Sequence, residues 1–197
     1  MSTVAPTKAP LSIGRRERKK AATRSALSEA ALRLFLERGF DNVTVREIAD
    51  AADVSTTTLM KHFPIKEALV FDRDQDLEDA LVTAINGRST GTPPMVALRD
   101  YMKMRLALLT GPGAREFLNL VLTTPALSEY WRAMWIRHEH ALAAALAAES
   151  GGKADDPTFL ALAHFALEVS LLAARSNNPR KMLDAAFDLL EHGWRSR

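Results

Sequence analysis

The sequence contains no cysteine, only two tyrosines, and no segment in which apolar and polar residues alternate as in a half-buried β-strand. The missing cysteine excludes disulfides, thiolate nucleophiles and cysteine-bound zinc. The N-terminus lacks the apolar core and cleavage site of a secretory signal, and no apolar run is expected to approach a membrane span in length and hydropathy. We therefore predict an all-α, cytoplasmic protein with no membrane partner.

Patterns that would indicate catalysis or metal binding are missing too. There is no glycine-rich phosphate loop and no serine, histidine and aspartate set at a recognisable spacing. His138 and His140 fall on opposite faces of a helix, unlike the i, i+4 pair of a zinc site. His164 and Glu168 lie one turn apart, but a plain hydrogen bond accounts for that spacing. We predict no enzyme activity, no metal site and no cofactor.

Positive charge is concentrated at the N-terminal end of a nearly neutral chain. Residues 1–70 contain 12 Lys and Arg against 8 Asp and Glu, whereas the remaining residues contain 14 against 16. Two interpretations stay open: a basic end that contacts a polyanion, or a solvated tail. Residues 1–14 are predicted to form a disordered basic arm.

Helical periodicity divides the next part of the chain into short helices. The first has one apolar face and stops near Gly39. Thr44 caps a second helix, a turn follows at Asp53, and Ser55 caps a third. Two short helices joined by such a turn form a helix-turn-helix, whose second helix lies in the major groove of DNA.

The third helix opens with four consecutive hydroxyl residues, Ser55 to Thr58. One hydroxyl can cap the helix, and the others can bond phosphates or base edges while threonine methyls touch thymine methyls. Leu59 and Phe63 are predicted to face inward. The outward residues are Thr56, Thr57, Met60, Lys61 and His62. A capped helix start also attracts phosphate.

Residue pairs at fixed spacing run from Arg24 to Leu69: Ala30-Ala31, Leu34-Phe35, Gly39-Phe40, Thr44-Val45, Ile48-Ala49, Val54-Ser55, Thr58-Leu59, His62-Phe63 and Lys66-Glu67. This pattern resembles the DNA-binding domain of TetR-family transcriptional regulators. The resemblance covers about 46 residues and implies a helix-turn-helix domain over residues 15–66.

The resemblance also implies DNA contacts, with Lys66 matching a phosphate-binding lysine. Together with the two cap residues, the candidates are Thr44, Arg46, Ser55, Thr56, Thr57, Thr58, Lys61, His62 and Lys66. An ion pair with Asp50 is the alternative interpretation of Arg46. Asp53 stands where the family usually has glycine, but aspartate tolerates a left-handed backbone. Met60 replaces a usual tyrosine and removes its hydroxyl.

Residues 67–197 are predicted to form a helical bundle, which the resemblance identifies as a ligand-binding and dimerisation domain. Helices are expected at about 66–86, 94–110, 113–122, 125–149, 157–176 and 179–194. Helix 157–176 is apolar nearly all round, which predicts burial against a second subunit. The expected interface residues are Phe165, Leu172, Phe187, Leu190 and Trp194. A twofold dimer predicts a palindromic operator.

Aromatic and methionine side chains with a few polar groups are typical of small-molecule pockets. The candidate pocket residues are Tyr101, Met102, Arg105, Trp131, Met134, Trp135 and His138. The simpler interpretation is a core stripe, in which His138 is hydrogen-bonded and Arg105 pairs with an acid such as Glu116. If Arg105 faces the cavity and has no acidic partner, an anionic or carboxylate ligand is expected.

By the resemblance, the expected function is a dimeric repressor that a small-molecule effector releases from its operator. The effector would shift the helix after residue 66 and change the spacing of the two recognition helices. The alternative is a DNA-binding dimer that is constitutive or controlled by a protein partner. An accessible cavity in the bundle would favour the first interpretation, and a tightly packed bundle the second.

Overall fold

The computed structural model describes residues 14–193, the Leu108 side chain excepted, and within that range the chain is helical without a β-strand. The elements are α1 (Arg15–Arg38), α2 (Val45–Ala51), α3 (Thr56–His62), a 3-10 turn (Glu67–Leu69), α4 (Asp74–Asn86), α5 (Pro94–Leu109), α6 (Ala114–Thr123), α7 (Pro125–Ser150), α8 (Pro157–Ala174) and α9 (Pro179–His192). The all-α prediction is confirmed. The predicted arm, apart from Gly14, and Trp194 lie outside the described residues.

Contacts divide the chain into two compact units, Met1–Asp72 and Arg73–Arg197. The first unit contains α1 to α3 around a core that includes Leu27, Phe35, Ile48, Leu59 and Phe63, each at most 1% exposed. These residues recur at helical spacing, so each helix turns one apolar face inward. The three-helix architecture of this unit follows from that pattern.

The predicted helix over residues 66–86 is interrupted, which corrects the sequence expectation. Leu69, Val70 and Phe71 are consecutive and all buried in the first unit. Successive residues of an α-helix are rotated by about 100°, so three in a row do not share one face. The chain instead forms a 3-10 turn, and α4 begins at Asp74. The predicted domain boundary at residue 66 therefore falls inside the first unit.

The second unit is a bundle whose core joins α4, α5, α7, α8 and α9. Its buried residues include Leu81, Leu98, Met102, Leu142 and Phe187. Prolines occupy the first position of α5, α7, α8 and α9, where the missing amide hydrogen costs nothing and the fixed φ favours a helix. Proline and glycine therefore mark these helix boundaries in the sequence.

Helix α8 is long and apolar enough to span a membrane by length and composition, with a mean hydropathy of 1.6. The expectation that no apolar run approaches a span was therefore wrong for this segment. In the structure α8 packs against α5, α7 and α9, and buries Ala163, Ala166 and Ala173. One side of this apolar helix therefore packs within the bundle, against α5, α7 and α9.

Candidate DNA-binding site and regulatory core

The start of α2 is fixed by a reciprocal cap between Thr44 and Glu47. The Thr44 hydroxyl accepts from the Glu47 amide at 3.2 Å, and the Glu47 carboxylate accepts from the Thr44 amide at 2.8 Å. Arg38 also pairs with Glu47 at 2.8 Å. The hydrogen bonds from the Thr44 backbone and side chain, followed by that from Arg38, lower the Glu47 pKa to about 2. The Thr44 hydroxyl, a candidate DNA contact, is therefore engaged in the cap.

A tight turn connects α2 to α3. Asp53 adopts a left-handed conformation with φ of 52°, as its position in the turn predicts. The Ser55 hydroxyl accepts from the Thr58 amide at 3.1 Å and lies 2.9 Å from the Thr58 hydroxyl. The first and last of the four hydroxyl residues therefore hold the start of the recognition helix, and the middle two do not share in that cap.

Helix α3 presents its polar residues outward. Leu59 and Phe63 are fully buried, whereas Thr56, Thr57, Met60 and Lys61 are exposed. This division matches the predicted inward and outward faces, except that His62, predicted to face outward, is partly buried. On α2, the Arg46 side chain is 84% exposed and lies 3.9 Å from Asp50, a distance typical of a weak surface pair. Arg46 is therefore accessible to a partner.

Arg24 fixes the end of the recognition helix, a role that the sequence interpretation missed. Its guanidinium donates to the His62 carbonyl oxygen at 2.9 Å, pairs with the Asp72 carboxylate at 2.5 Å, and lies 4.2 Å from the Phe63 ring centroid. Arg24 is three residues before Leu27, so helical periodicity could have placed it on the inward face of α1. Burial, and then the charges of Arg24 and Lys20, lower the pKa of His62.

Lys66 is partly buried against the turn between α1 and α2. Its Nζ donates to the Phe40 carbonyl oxygen at 2.6 Å and lies 4.1 Å from the Phe40 ring centroid. Burial lowers the pKa of the Lys66 ammonium. One donor of the predicted phosphate-binding lysine is thus used inside the unit, which leaves two N–H groups for an external acceptor.

The first turns of α1 carry a cluster of exposed cations: Arg15, Arg16, Arg18, Lys19 and Lys20. Cations at a helix N-terminus oppose the helix dipole, and no side chain caps this end. The charge of Lys20 is close enough to His62 to lower its pKa, so the cluster ends near the C-terminal end of α3. The basic cluster therefore adjoins the recognition helix.

In the second unit, the predicted pocket residues fall on α5 and α7, and most are buried. Tyr101, Met102, Met134, Trp135 and His138 are each at most 9% exposed, and Trp131 is partly buried. Ring contacts join Trp131 to Trp135 at 5.6 Å and Trp135 to His138 at 5.5 Å between centroids. Most of this stripe is packed core, as the simpler interpretation predicts.

Arg105 and His138 differ in how their charge or polarity is satisfied. His138 Nε2 lies 2.8 Å from an Asp74 carboxylate oxygen, and burial lowers the His138 pKa more than Asp74 raises it. The expectation of a hydrogen-bonded core histidine is met. The suggested pairing of Arg105 with Glu116 is wrong, because Glu116 is exposed and Arg105 Nη1 has no hydrogen-bond partner. Arg105 instead lies 5.1 Å from the Trp135 ring centroid.

An open cavity of about 320 Å³ lies between α6, α7 and α8 and is lined in part by Trp131 and Trp135. Glu139 and Glu168 stand at this cavity, where Glu139 lies 2.9 Å from His164 Nδ1. His164 therefore bonds across to α7, and not to Glu168 on its own helix. The bundle thus combines a tightly packed stripe with an accessible cavity beside it.

An apolar groove of about 690 Å³ runs between α8 and α9 and is lined by Phe165, Leu172, Leu189 and Leu190, among others. Phe165 and Leu172 are each 55% exposed. Phe187, by contrast, is fully buried within its own unit, so its predicted place at a subunit interface is corrected. Leu189, which the sequence interpretation omitted, is exposed instead.

The geometry defines a class of protein: a helix-turn-helix DNA-binding unit joined to an apolar helical bundle. Two family models match the chain, "Bacterial regulatory proteins, tetR family" over residues 27–72 and "MftR C-terminal domain" over residues 92–195. The chain belongs to the TetR family of transcriptional regulators. It is a DNA-binding regulator of that family.

Individual relatives agree with this assignment. The regulator TcmR of Streptomyces glaucescens is 32% identical, over 73% of this chain and 67% of TcmR. The regulator MftR of Mycobacterium tuberculosis is 28% identical, over 89% of this chain and 93% of MftR. Among solved structures, Thermus thermophilus FadR, a TetR-family repressor in complex with lauroyl-CoA, superposes with a TM-score of 0.55 at 25% identity, covering 88% of this chain and 96% of FadR.

Proposed function

We propose that the chain is a cytoplasmic, dimeric repressor that reads a palindromic operator with α3 and leaves it when a small molecule binds the bundle. The DNA-reading part of the proposal rests on one observation about α3: some side chains fix the ends of the helix, and others are left exposed. Ser55 and Thr58 cap the helix and Arg24 holds its far end, while Thr56, Thr57 and Lys61 face outward. The protein would act by binding DNA, and not by catalysis.

The proposed DNA contacts fall into two groups. Thr56 and Thr57 would meet base edges and thymine methyls, and Arg46 and Lys61 would reach bases or phosphates. Ser55, Thr58 and Thr44 would act through the helix starts that they cap, where free amides attract phosphate. Lys66 and His62, which are partly buried, would contact DNA at the edge of the surface formed by these residues.

The basic cluster of α1, residues 15–20, is proposed to contact the DNA backbone. Its charges oppose the helix dipole, so a polyanion near this end would relieve an unfavourable arrangement. Each neutralised phosphate releases counterions, which makes the affinity fall steeply with salt. We expect a slope of roughly −0.9 per contact in a plot of log affinity against log salt.

Dimerisation is proposed through the groove between α8 and α9. Its exposed apolar side chains, Phe165, Leu172 and Leu189, form a surface that monomeric proteins rarely leave in water. A second copy of the same face would cover it with twofold symmetry. Two recognition helices related by this symmetry would read two half-sites of one operator.

Ligand control is supported by the cavity at Trp131 and Trp135 and by the relative FadR, whose solved structure holds lauroyl-CoA. The effector would have to bind the DNA-incompetent state more tightly than the competent one. A constitutive dimer is the second candidate, and the burial of Tyr101, Met102 and Met134 favours it, because a packed core leaves less room for a ligand.

The deciding experiment selects bound sites from random duplex DNA with the purified full-length chain. The enriched site is then used in a gel-shift assay with a compound panel that includes lauroyl-CoA. We expect a palindromic site and its release by a member of the panel. An enriched palindrome that nothing releases would favour the constitutive dimer. Failure to enrich any site would contradict the proposed function as a whole.

A further inference from the structure

Arg105 is a buried cation in the middle of α5 that lacks an acidic partner. It is 6% exposed, its Nη1 has no hydrogen-bond partner, and no described carboxylate pairs with it. Two neighbours on the same helix do have acidic partners, although Arg99 Nε, like Arg105 Nη1, has no hydrogen-bond partner. Arg99 pairs with Asp188 at 2.6 Å and with Glu191 at 3.2 Å, and Lys103 pairs with Asp184 at 2.8 Å.

The groups around Arg105 are two aromatic side chains and an imidazole. The guanidinium lies 5.1 Å from the Trp135 ring centroid, and its polar neighbour is the Tyr101 hydroxyl, which donates to the Leu77 carbonyl and forms a hydrogen bond with Arg105. His138 contacts the same indole ring, and its Nδ1 also has no partner. Two buried nitrogen atoms, one on α5 and one on α7, therefore lack partners beside a single tryptophan.

A buried charge without an acidic partner is costly, because burial removes its hydration, and the contacts with Trp135 and Tyr101 leave Nη1 without a hydrogen bond. Burial lowers the pKa of Arg105, but a guanidinium stays protonated at neutral pH. A well-packed apolar side chain of similar volume would cost less. A destabilising side chain that a more stabilising residue could replace is typical of a functional site.

Trp135 connects Arg105 to an accessible space. The same indole that lies against Arg105 also lines the cavity of about 320 Å³, together with Trp131, Ile136 and Leu171. That volume lies within the range of small-molecule sites. Arg105 does not itself line this cavity, whose wall also carries Arg132, Glu139 and Glu168, so the Trp135 side chain has to move before a ligand in the cavity reaches the guanidinium.

We propose that Arg105 binds the anionic head of the effector, and that the effector is an amphiphilic carboxylate whose apolar body lies against Trp131 and Trp135. The inference rests on the proposed function, since it names the chemistry of the ligand that the bundle would hold. Carboxylates match the planar donors of arginine, which favours this head group. His138 Nδ1 would face a second polar atom of the same ligand.

The first test compares the melting temperatures of the unliganded full-length variants Arg105→Met and Arg99→Met. We expect Arg105→Met to melt at or above the wild-type temperature, because it removes an uncompensated charge. Arg99→Met is the matched control on the same helix. It should melt roughly 2–4 °C lower than the wild type, because it removes a charge that is paired with Asp188 and Glu191. An equal loss in both variants would make Arg105 a structural cation and overturn the proposal.

The second test adds octanoate, decanoate or 1-naphthylacetate, each beside its uncharged amide, and measures the melting temperature. At a concentration ten times its Kd, at least one acid should raise the melting temperature of the wild type by roughly 3–6 °C, and its amide should not. Arg105→Met should abolish that rise. No rise with any acid, or an equal rise in the variant, would contradict the proposal.

Benzyltrimethylammonium serves as the opposing probe, because Glu139 and Glu168 stand at the cavity. Stabilisation by this cation in place of the acids would overturn the assignment and indicate a cation site.

Operator binding by the unliganded variants separates this inference from the proposed function. If Arg105→Met binds the operator like the wild type and the acids still raise its melting temperature as much as that of the wild type, only the ligand assignment is wrong.

Discussion

The two units of the chain differ in how their inward polar side chains are satisfied, and these side chains are partly buried in the first unit and buried in the second. In the first unit, the inward polar groups are used to hold the backbone: Arg24 binds the His62 carbonyl, and Lys66 binds the Phe40 carbonyl. In the second unit, Arg105 Nη1 and His138 Nδ1 are buried without partners. The first arrangement fixes one conformation, whereas the second retains unsatisfied hydrogen-bonding capacity at a stability cost.

This difference agrees with the two proposed functions, DNA reading by the first unit and ligand sensing by the second. A DNA reader must present its outward side chains at fixed positions, so that binding requires little ordering. A sensor must have a free-energy difference between states that a ligand can shift. The comparison therefore predicts that changes to inward polar residues lower stability in the first unit and, at Arg105, do not lower it in the second.

The largest expected effect concerns the apolar core of the second unit. Phe187 is fully buried, and Phe187→Ala should lower the free energy of unfolding by about 3–5 kcal/mol. All three tryptophans follow residue 130, so denaturant unfolding monitored by tryptophan fluorescence reports on this unit. Met104→Ala, at an exposed apolar position of the same unit outside the proposed interface, is the control. A loss below 1 kcal/mol for Phe187→Ala would contradict the described packing.

In the first unit, Arg24→Met should be the most damaging change of a charged residue. It removes hydrogen bonds to the His62 and Asp72 carbonyls, with an expected loss of about 1.5–3 kcal/mol in unfolding free energy. Circular dichroism during denaturation would measure the loss, and operator affinity should fall although Arg24 faces inward. Arg33→Met, at an exposed position of α1, should change stability by less than about 0.5 kcal/mol.

Much of the fold was predictable, because proline, glycine and helical periodicity act locally. The start of α3 at a capping Ser55 and the left-handed Asp53 both follow from residue chemistry within a few positions. What covers each apolar face is not local. Phe187 and Leu190 belong to the same apolar stripe of α9, and only tertiary packing decides that Phe187 is fully buried whereas Leu190 is partly exposed.

The candidate sites show the same limit. Sequence placed Arg105 among aromatic residues but could not reveal whether an acid reached it, since Asp188 and Asp184 approach its neighbours from a distant helix. Arg24 was missed because its partners, His62 and Asp72, are separated from it by many residues. The break after Leu69 was missed because the sequence pattern does not show that three consecutive apolar residues enter one core.

A smaller effect, confined to binding, is expected for Arg46→Ala. The side chain is 84% exposed and its pairing with Asp50 is weak, so stability should not change. Operator affinity should fall by about 1–3 kcal/mol if Arg46 contacts a base. A gel-shift titration would measure the loss, with Arg33→Ala as the control for removing a positive charge. Unchanged affinity and sequence preference would show that Arg46 is not a DNA contact.

The smallest expected effect is a dependence of stability on acid pH. The pKa of Glu47 falls from 4.5 to about 2 in the folded chain, so its stabilising contribution is present above pH 4.5 and is lost as pH falls toward 2. Glu47→Gln retains the cap, because glutamine also accepts at this position, but does not titrate. We therefore expect the variant to lose less stability than the wild type between pH 4.5 and 2, measured by thermal denaturation.

Glu149→Gln is the matched control, since the pKa of Glu149 is also lowered, by its bond to Arg88, but it lies in the second unit. If Glu47→Gln reduces the acid sensitivity of the first unit alone, and Glu149→Gln reduces that of the second unit alone, each unit is stabilised by its own ion pairs. If Glu47→Gln leaves the acid limb unchanged, the carboxylate does not hold the start of α2. The fixed geometry assigned to the DNA-reading unit would then need another source.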